Sequence, residues 1–396
     1  MMKKLLFLCG LIAFNYSTSQ TVGDLIQAVD LGELTLTLNE FSGEVSTVVD
    51  GNTVTILNRV SNSDNNLAAD YLVQKFSAIS GLTVTDDVYS PGPTGGRNVI
   101  ATQLGITNPD DIYIICAHYD SVSNYCADDN VSGTAAVLEI ARLLSQYDID
   151  NTIVYALWDQ EEIGLVGANN YAEAASANGD NILAVFNMDM MAHDGDGDND
   201  FDIDVQPIAN SIAMKDDILA LLAIYGTNDQ SLIDFNNTDV NVVNPGTPAS
   251  DHKPFWDEGY TALLFGESWA NGDQTEDYHT SGDRVSTLDL DYYHNMVKLA
   301  MAYMATKVGL NSLSVEGFNE LEVHVFPSPT NSFLNIKLTE AIETQINITD
   351  INGKQHQEVF LSDHENTLDV SSLSSGIYFI HMKNKKGEGT FKFIKQ

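Results

Sequence analysis

Two histidines and several acidic residues, each close to the end of an apolar run, are the side chains of this sequence best suited to chemistry. They stand in His118-Tyr119-Asp120, in Asp128-Asp129-Asn130, in Glu161-Glu162, and at Asp189 and His279. Zinc takes imidazole and carboxylate ligands, and a catalytic zinc site keeps one position open for water. Because these residues are spread along the chain, we expect a whole fold, and not a short zinc module, to assemble a site for two zinc ions.

The runs that precede these residues are short, apolar and rich in β-branched and aromatic side chains, as in buried strands. They alternate with segments of helical periodicity, and this alternation predicts an α/β layered domain. Open α/β sheets place their sites just after strand ends, where the candidate ligands stand. The predicted strands are residues 98–101, 112–117, 152–158, 184–188 and 261–265, and the predicted helices are residues 134–145, 218–225 and 288–308.

The N-terminal region carries weaker signals. Residues 34–38 and 53–56 are strand-like runs around Asp50-Gly51-Asn52, a pattern that predicts a hairpin. Residues 66–79 have apolar side chains at helical spacing and predict a helix. These patterns do not decide whether residues 21–64 are a removable pro-segment or an N-terminal extension of the domain.

The chemistry open to each candidate follows from its position. Asp120, two residues after His118, can accept the second ring N–H of a zinc-bound imidazole and so fix its tautomer. In the turn before the helix at 134–145, an aspartate could bridge two metals, although acidic residues in such turns also cap helices. Adjacent glutamates are common on surfaces, but directly after a buried strand Glu161-Glu162 suits one metal ligand and one general base.

In this order the motifs resemble the secreted co-catalytic di-zinc aminopeptidase family, over roughly residues 60–308. The resemblance implies a zinc-exopeptidase-like mixed sheet flanked by helices, within a domain that spans residues 21–311. It implies two zinc ions, and Asp129 as their bridge because the family's ligand lies four residues before a glycine, here Gly133. The implied ligands are His118 and Asp189 for one ion and Glu162 and His279 for the other.

The same resemblance implies the reaction. The substrates would be peptides with a free N-terminus, hydrolysed by a zinc-bridged water with Glu161 as general base. Asp120 would orient His118, and Tyr278 would donate a hydrogen bond to the oxyanion. The chain departs from the family at Tyr125-Cys126-Ala127, where relatives often have Pro-Gly-Ala, so a different loop geometry is open there.

Two other functions are compatible with the residues. Glutaminyl cyclases share this ligand pattern with a single zinc and transfer an acyl group intramolecularly. A non-enzymatic alternative is a metal-stabilised adhesin or surface binding module. The number of bound metal ions and the effect of a chelator on turnover distinguish these alternatives from an aminopeptidase.

The beginning of the chain and its net charge bear on location and partners. Residues 1–20 combine Lys3 and Lys4, a short apolar run and small polar residues, which predicts a secretory signal peptide. No later apolar run is long enough to span a bilayer, so we expect no stable membrane insertion. The formal net charge of -38 repels nucleic acid and anionic membranes, so we expect no nucleic-acid partner.

The last part of the chain has a different pattern of apolar residues. Residues 334–338, 345–349, 367–370, 376–382 and 390–394 are short strand-like runs separated by turn signals, which predict a small all-β sandwich over residues 323–396. Residues 312–322 would be a linker. Phe326-Pro327-Ser328-Pro329-Thr330 and the following Phe333-Leu334-Asn335-Ile336 resemble the C-terminal sorting domain of the type IX secretion system. The resemblance implies recognition by that secretion machinery and a secreted or cell-surface protein.

Two further features carry smaller expectations. The stretch from Asp194 to Asp202 has acidic residues at alternate positions and resembles a calcium loop, although it lacks the usual glycine at the sixth position and glutamate at the twelfth. Cys116 and Cys126 are expected to be unpaired small residues, while an exported protein also permits a disulfide between them.

Overall fold

The computed structural model describes residues 21–60, 63–90, 95–226, 232–235, 240–269, 274–311, 323–338, 342–350, 354–384 and 387–396. The predicted signal peptide and the predicted linker lie outside these residues. The chain divides into two compact units, Met1–Ser312 and Leu313–Gln396. Among the described residues, none of the helices combines the length and the apolar character needed to cross a bilayer.

The first unit combines helices and strands. Its described helices are α1 (Val22–Ala28), α2 (Leu31–Phe41), α3 (Ser63–Ser77), α4 (Gly133–Leu144), α5 (Val166–Asn178), α6 (Ser211–Tyr225), α7 (His252–Asp257) and α8 (Leu290–Lys307). Its described strands are β1 (Thr47–Val49), β2 (Asn52–Val54), β3 (Thr83–Val88), β4 (Arg97–Gln103), β5 (Asn108–His118), β6 (Asp148–Ile149), β7 (Asn151–Trp158), β8 (Asn181–Met188), β9 (Phe201–Asp204), β10 (Val240–Val243), β11 (Ala262–Glu267) and β12 (Leu310–Asn311).

A mixed sheet forms the centre of this unit and confirms the predicted α/β class. Within the described part of the chain its strand order is β10-β9-β11-β8-β5-β7-β4-β3. Strands β7, β5, β8 and β11 are mutually parallel, whereas β9 and β4 run antiparallel to their neighbours β11 and β7. The C-terminal ends of four consecutive strands of the sheet, β11, β8, β5 and β7, therefore meet at one edge.

Helices cover both faces of this sheet, which explains why its strands are apolar throughout. In β7, Tyr155 and Leu157 belong to the core under α2, α3, α4 and α8, while Ala156 and Trp158 belong to the core under α5 and α7. The two sets alternate because successive side chains of a strand point to opposite faces. The central strands are thus fixed from both sides, and their ends are rigid positions for functional groups.

One predicted element is wrong. Residues 34–38 (Leu-Thr-Leu-Thr-Leu) were expected to form a strand, but they lie within α2. The side chain of Asp30 accepts hydrogen bonds from the backbone N–H groups of Gly32 and Glu33 and begins the helix. Leu34 and Leu38 are buried and one helical turn apart, so the alternating pattern also satisfies the helical period. The predicted turn at Asp50-Gly51-Asn52 is confirmed as the hairpin β1–β2.

The second unit consists of two antiparallel sheets. Its strands are β13 (Val323–Phe326), β14 (Phe333–Leu338), β15 (Thr344–Asp350), β16 (Gln355–Leu361), β17 (Glu365–Asp369), β18 (Gly376–Asn384) and β19 (Gly387–Lys395). In the described residues the sheets have the orders β13-β14-β17 and β16-β15-β18-β19. Leu334 and Ile336 of the first sheet share one core with Ile346 and Ile380 of the second, as the predicted sandwich requires.

Candidate metal centre and active site

The five predicted metal ligands come together at the C-terminal edge of the sheet. Asp129 lies between the two histidines: its Oδ1 is 3.3 Å from His118 Nε2 and its Oδ2 is 3.1 Å from His279 Nε2. Asp189 Oδ1 is 3.2 Å from His118 Nε2, and Glu162 Oε2 is 3.4 Å from His279 Nε2. The side chains thus form two groups that share one carboxylate.

Strand topology explains most of this convergence. His118 is the last residue of β5, the pair Glu161-Glu162 follows β7, and Asp189 follows β8. Because β7, β5 and β8 are adjacent and parallel, the residues after them are neighbours in space. His279 comes from the loop after β11, where its backbone adopts a left-handed conformation with φ of 60°.

The turn between β5 and α4 points Asp129, and not Asp128, at the histidines. Asp283 holds this turn, since its two carboxylate oxygens accept the backbone N–H groups of Asp128 at 2.8 Å and of Asp129 at 3.0 Å. The Asp128 side chain instead accepts the backbone N–H of Ala192 at 2.9 Å. The peptide bond between Asp129 and Asn130 is cis. The sequence also allowed an aspartate of this turn to cap the following helix. Asp129 instead directs both its carboxylate oxygens at the histidines.

Asp120 connects the predicted ligand His118 to the two glutamates. Its Oδ1 lies 3.4 Å from His118 Nδ1, which leaves Nε2 of that ring facing the other ligands. The same carboxylate accepts the backbone N–H of Glu161 at 3.1 Å and the backbone N–H of Glu162 at 3.3 Å. Such a contact behind a ligating imidazole fixes the orientation of the ring.

Two residues that hold the predicted ligands in place, Asp283 and Ser250, were not predicted from the sequence. Ser250 donates a hydrogen bond from its hydroxyl to Asp189 Oδ2 at 2.5 Å and accepts one from Asn187 Nδ2 at 2.8 Å. Its only signal in the sequence is its place before the Asp251-His252 pair. His252 lies outside the ligand group, because its Nε2 contacts the backbone oxygen of Thr247 at 2.8 Å.

Charge within the site raises the pKa of one group and lowers that of another. Burial alone would lower the pKa of His118, but the negative charges of Asp189 and Glu161, with hydrogen bonds to Asp120 and Asp129, raise it well above its usual range. Burial would raise the pKa of Asp129, but hydrogen bonds and charge from His118 and His279 hold it well below its usual range. In the absence of a metal, a proton on His118 therefore balances part of the acidic charge.

The two glutamates respond mainly to burial. Burial and the surrounding carboxylates raise the pKa of Glu161 to about 9, although the charge of His118 opposes the shift. Burial and the charge of Asp129 raise the pKa of Glu162 to about 9. A divalent cation at the neighbouring ligands would lower both pKa values, because it stabilises the ionised carboxylates.

The donor set fits zinc. It offers two imidazole nitrogens and three carboxylates, the ligand types of zinc enzymes. One ligand atom each from His118, Asp129 and Glu162 lies within 4.8 Å of the others. Glu162 Oε1 is buried and accepts no hydrogen bond within the described part of the chain, so a cation is the partner that would satisfy it.

Tyr278 and Glu161 line the same cavity as the ligands. The ring of Tyr278 stacks on His279 with the centroids 3.7 Å apart, and Trp269 contacts it edge-on at 5.0 Å. Burial raises the pKa of the Tyr278 hydroxyl well above its usual range, so it stays protonated and able to donate a hydrogen bond. Its contact with an oxyanion stays a prediction.

The expected calcium loop is only partly grouped. Ligand atoms of Asp194, Asp196 and Asp198 lie within 4.8 Å of one another, but backbone N–H groups of the loop itself donate to these carboxylates. Asp202 does not belong to the loop, because it lies in β9 with its side chain in the cavity described above. Calcium binding at the other three aspartates stays a prediction.

Cys116 and Cys126 are buried and free, so they form no disulfide with each other. Tyr125 and Cys126 both adopt positive φ angles, 67° and 46°. This conformation favours glycine, so Cys126 reproduces a glycine-like turn at the point where the sequence departs from its relatives.

The sequence matches two known protein families. Residues 98–304, more than half of it, match Peptidase family M28. The chain belongs to this family. Residues 324–396 match the secretion system C-terminal sorting domain, so the M28 unit is followed by a sorting domain of the type IX kind. Both resemblances stated from the sequence motifs are thereby confirmed.

This M28 member is also similar to individual proteins in sequence and in fold. A probable zinc metalloprotease of Phaeosphaeria nodorum is 25% identical over 287 residues, which cover 58% of this chain and 58% of that protein. The chain thus spans less than two thirds of the length of the curated relatives it matches. The fold is similar to that of LapA aminopeptidase from Legionella pneumophila, with a TM-score of 0.61, 19% identity and coverage of 79% of this chain and 81% of that one. It is also similar to that of glutaminyl cyclase from Porphyromonas gingivalis, with a TM-score of 0.52, 17% identity and coverage of 72% and 100%.

Proposed function

We propose that this protein is an aminopeptidase that binds two zinc ions and releases N-terminal residues from peptides. The observation that carries the proposal is Asp129, whose two oxygens face His118 on one side and His279 on the other. A carboxylate between two imidazoles, each with a further carboxylate beside it, suits a pair of metal ions that share one bridging ligand.

The chain's own residues would carry out the proton transfers. Zinc held by these ligands would supply a Lewis acid for the substrate carbonyl and lower the pKa of the attacking water. Glu161 would accept the proton of that water on its carboxylate and deliver it to the leaving amine. Asp120 would fix the relative positions of Glu161 and His118, because it contacts both. Tyr278 would donate its hydroxyl hydrogen bond to the carbonyl oxygen as negative charge develops there.

The cavity is suited to a free N-terminus. It has a volume of about 570 Å³ and is lined by the ligands, by Glu161 and by further carboxylates. No lysine or arginine is found among its described lining residues. An α-ammonium group is attracted to such a cavity, whereas a blocked N-terminus forfeits that attraction.

The test combines metal content with turnover of the purified mature protein. We expect two zinc ions per chain and release of nitroaniline from aminoacyl nitroanilides, lost with chelator and restored by zinc. Substrates with an acetylated N-terminus are the matched control and should not be hydrolysed.

Other outcomes would assign the site differently. One zinc ion with activity confined to cyclisation of N-terminal glutamine would indicate a glutaminyl cyclase. Bound metal without turnover would indicate a non-enzymatic binding module, and no metal with no turnover would contradict the proposed site. Hydrolysis of acetylated peptides at internal bonds would contradict an exopeptidase.

We also propose that the enzyme acts outside the cell or on its surface. The sorting domain at residues 324–396 supports this, and the predicted signal peptide at residues 1–20 would provide the first export step. Deleting residues 323–396 in the producing bacterium should retain the enzyme inside the cell. Activity that still reaches the medium at the normal level would contradict the proposal.

A further inference from the structure

The loop between β5 and α4 joins two predicted metal ligands. His118 ends β5, and Asp129 lies in the turn directly before α4, so residues 119–126 determine how these two side chains face each other. Asp129 could bridge two ions only while its Oδ1 lies near His118 Nε2, at 3.3 Å, and its Oδ2 near His279 Nε2, at 3.1 Å. A group that fixes the backbone of this loop would therefore also fix the geometry of the metal centre.

The end of this loop has an unfavourable backbone conformation. Tyr125 has a φ of 67° and Cys126 a φ of 46°, so two successive residues with side chains adopt the left-handed conformation. This conformation costs free energy for a residue with a Cβ atom, and it persists only where the surrounding structure holds it. Without such support the loop would relax, and the turn that carries Asp129 would move with it.

The side chain of Arg59 contacts the backbone of both left-handed residues. Its Nη1 donates a hydrogen bond to the backbone oxygen of Tyr125 at 2.9 Å, and its Nη2 donates one to the backbone oxygen of Cys126 at 2.9 Å. Its Nε donates to the backbone oxygen of Tyr119, the residue after His118, at 2.9 Å. One planar guanidinium therefore binds both ends of the loop, and the fixed directions of its donors set how far apart these ends lie.

The main chain around Arg59 makes the same connection. The backbone N–H of Tyr125 donates to the oxygen of Leu57 at 2.9 Å, and the backbone N–H of Ser121 donates to the oxygen of Arg59 at 3.3 Å. The hydroxyl oxygen of Ser121 accepts the backbone N–H of Arg59 at 3.2 Å. Nη1 of Arg59 also donates to the backbone oxygen of Phe41, at the end of α2, at 3.0 Å. The N-terminal segment thus supports the loop, and its removal would also remove the guanidinium.

The charge of Arg59 also suits this position. The side chain is fully buried, and burial lowers its pKa, while the negative charges of Asp283, Asp129 and Asp120 oppose that shift. Lysine at this position would keep the positive charge, but its ammonium group could not direct four hydrogen bonds at four separate backbone oxygens. Charge and hydrogen-bond geometry can therefore be separated by a single substitution.

We propose that Arg59 is a positioning residue of the metal centre, which holds residues 119–126 so that His118 and Asp129 can share an ion. It acts through the backbone of the loop and takes no part in the reaction itself. The inference rests on the proposed metal centre, and its readout is metal binding, whichever reaction the site carries out. It requires that the active enzyme keeps the N-terminal segment that carries Arg59.

The experiment uses the purified mature protein and the variants Arg59→Lys, Cys126→Gly and the double variant. Glycine adopts the left-handed conformation without the steric cost, so it should relieve the need for the guanidinium. Competition with a chromophoric chelator measures zinc affinity, and the visible absorption of the cobalt-substituted protein reports the coordination geometry. Turnover of an aminoacyl nitroanilide is measured at saturating zinc.

Two controls separate positioning from stability. Arg142→Lys, in the last turn of α4, is the matched control for the substitution. Ile218→Ala, at a buried position of α6, is the control for a loss of stability alone, because it creates a cavity outside the loop and the ligands. Every variant is measured below its own Tm.

We expect Arg59→Lys to lower zinc affinity about tenfold to a hundredfold and to change the cobalt absorption. At saturating zinc its kcat should still fall by about tenfold or more, because the ligands are displaced. Adding Cys126→Gly should restore about fivefold in affinity, the factor that corresponds to the cost of one left-handed residue. Both controls should keep the wild-type affinity and kcat.

Wild-type zinc affinity and cobalt absorption in Arg59→Lys, with only a lower Tm, would overturn the inference and leave the metal centre intact. A loss of affinity that Cys126→Gly does not relieve would also overturn it, because the loop conformation would not be what Arg59 holds. Mass spectrometry of the secreted enzyme tests the inference even if Arg59→Lys does not fold: active enzyme that retains no peptide containing Arg59 would overturn it. A wild-type protein that binds no zinc would instead overturn the proposed metal centre.

Discussion

The carboxylate of Asp120 accepts the backbone N–H of Glu161 at 3.1 Å and lies 3.4 Å from the ring of His118. One fully buried side chain therefore fixes both a predicted metal ligand and the predicted general base. The two functions depend on a common support, so a change at this position should affect metal binding and proton transfer together.

The first prediction concerns Asp120→Asn. The amide retains an oxygen for one backbone N–H but loses the negative charge beside His118. We expect zinc affinity to fall about tenfold to a hundredfold, with a parallel loss of kcat. Competition with a chromophoric chelator measures the affinity, and Asp216→Asn on the exposed face of α6 is the control. Unchanged zinc affinity would show that Asp120 does not position the ligand.

The second prediction concerns Glu161→Gln. If Glu161 is the general base, the variant should lose about a thousandfold in kcat, within the usual range of acid–base catalysis, and keep its zinc content. Glutamine matches the shape, so thermal stability should change little. The control is Glu173→Gln on the exposed side of α5. Turnover within tenfold of the wild type would contradict the assignment, and loss of zinc would make Glu161 a ligand instead.

The third prediction concerns pH and the zinc-free protein. Burial raises the pKa of Glu161 and Glu162 from an ordinary 4.5 to about 9, and surrounding carboxylates outweigh burial to raise that of His118. The folded state therefore binds more protons than the unfolded state between about pH 5 and pH 9. In that window the free energy of unfolding falls as pH rises.

We expect the Tm of the chelator-treated protein to fall steadily across this window. The Tm of the zinc-loaded protein should vary less, because the metal replaces the protons as the positive partner. Thermal unfolding at a series of pH values with and without zinc provides the measurement. A Tm of the zinc-free protein that rises toward pH 9 would contradict the charge arrangement.

The fourth prediction concerns Arg59, which is fully buried. Its guanidinium donates hydrogen bonds to the backbone oxygens of Phe41, Tyr119, Tyr125 and Cys126 at 2.9 to 3.0 Å. Arg59→Met would leave these oxygens without partners, so we expect a loss of about 3 kcal/mol or more in unfolding free energy. Lys253→Met, at a solvent-exposed ion pair with Asp257 on α7, is the control and should cost much less. Denaturant unfolding measures both, and equal effects would contradict the role of Arg59.

Much of the site follows from the sequence because its ligands stand after strands. Apolar runs identify β5, β7 and β8, and parallel strands bring His118, Glu162 and Asp189 to one edge. The choice between Asp128 and Asp129 depends on the backbone of one irregular turn, which no periodic pattern encodes. The supports Asp283 and Ser250 come from loops distant in sequence and were missed for the same reason.

Two other differences have a common cause. The alternation of leucines from Leu34 to Leu38 fits a strand. Leucines four residues apart also lie on one face of a helix, and burial of Leu34 and Leu38 stabilises the helix α2. The acidic alternation from Asp194 to Asp202 fits a calcium loop, but the buried Phe201 and Ile203 on either side of Asp202 place its end in strand β9. In both cases a short pattern satisfied two structures, and tertiary burial selected one of them.

The predicted ligands come from separate stretches between His118 and His279, and this spacing has a consequence for biosynthesis. A nascent chain cannot complete the site until the segment beyond β11 has left the ribosome and the whole sheet has folded. A chain kept unfolded for export would therefore carry no hydrolytic activity inside the cell that makes it. Folding itself would then be the step that completes the site.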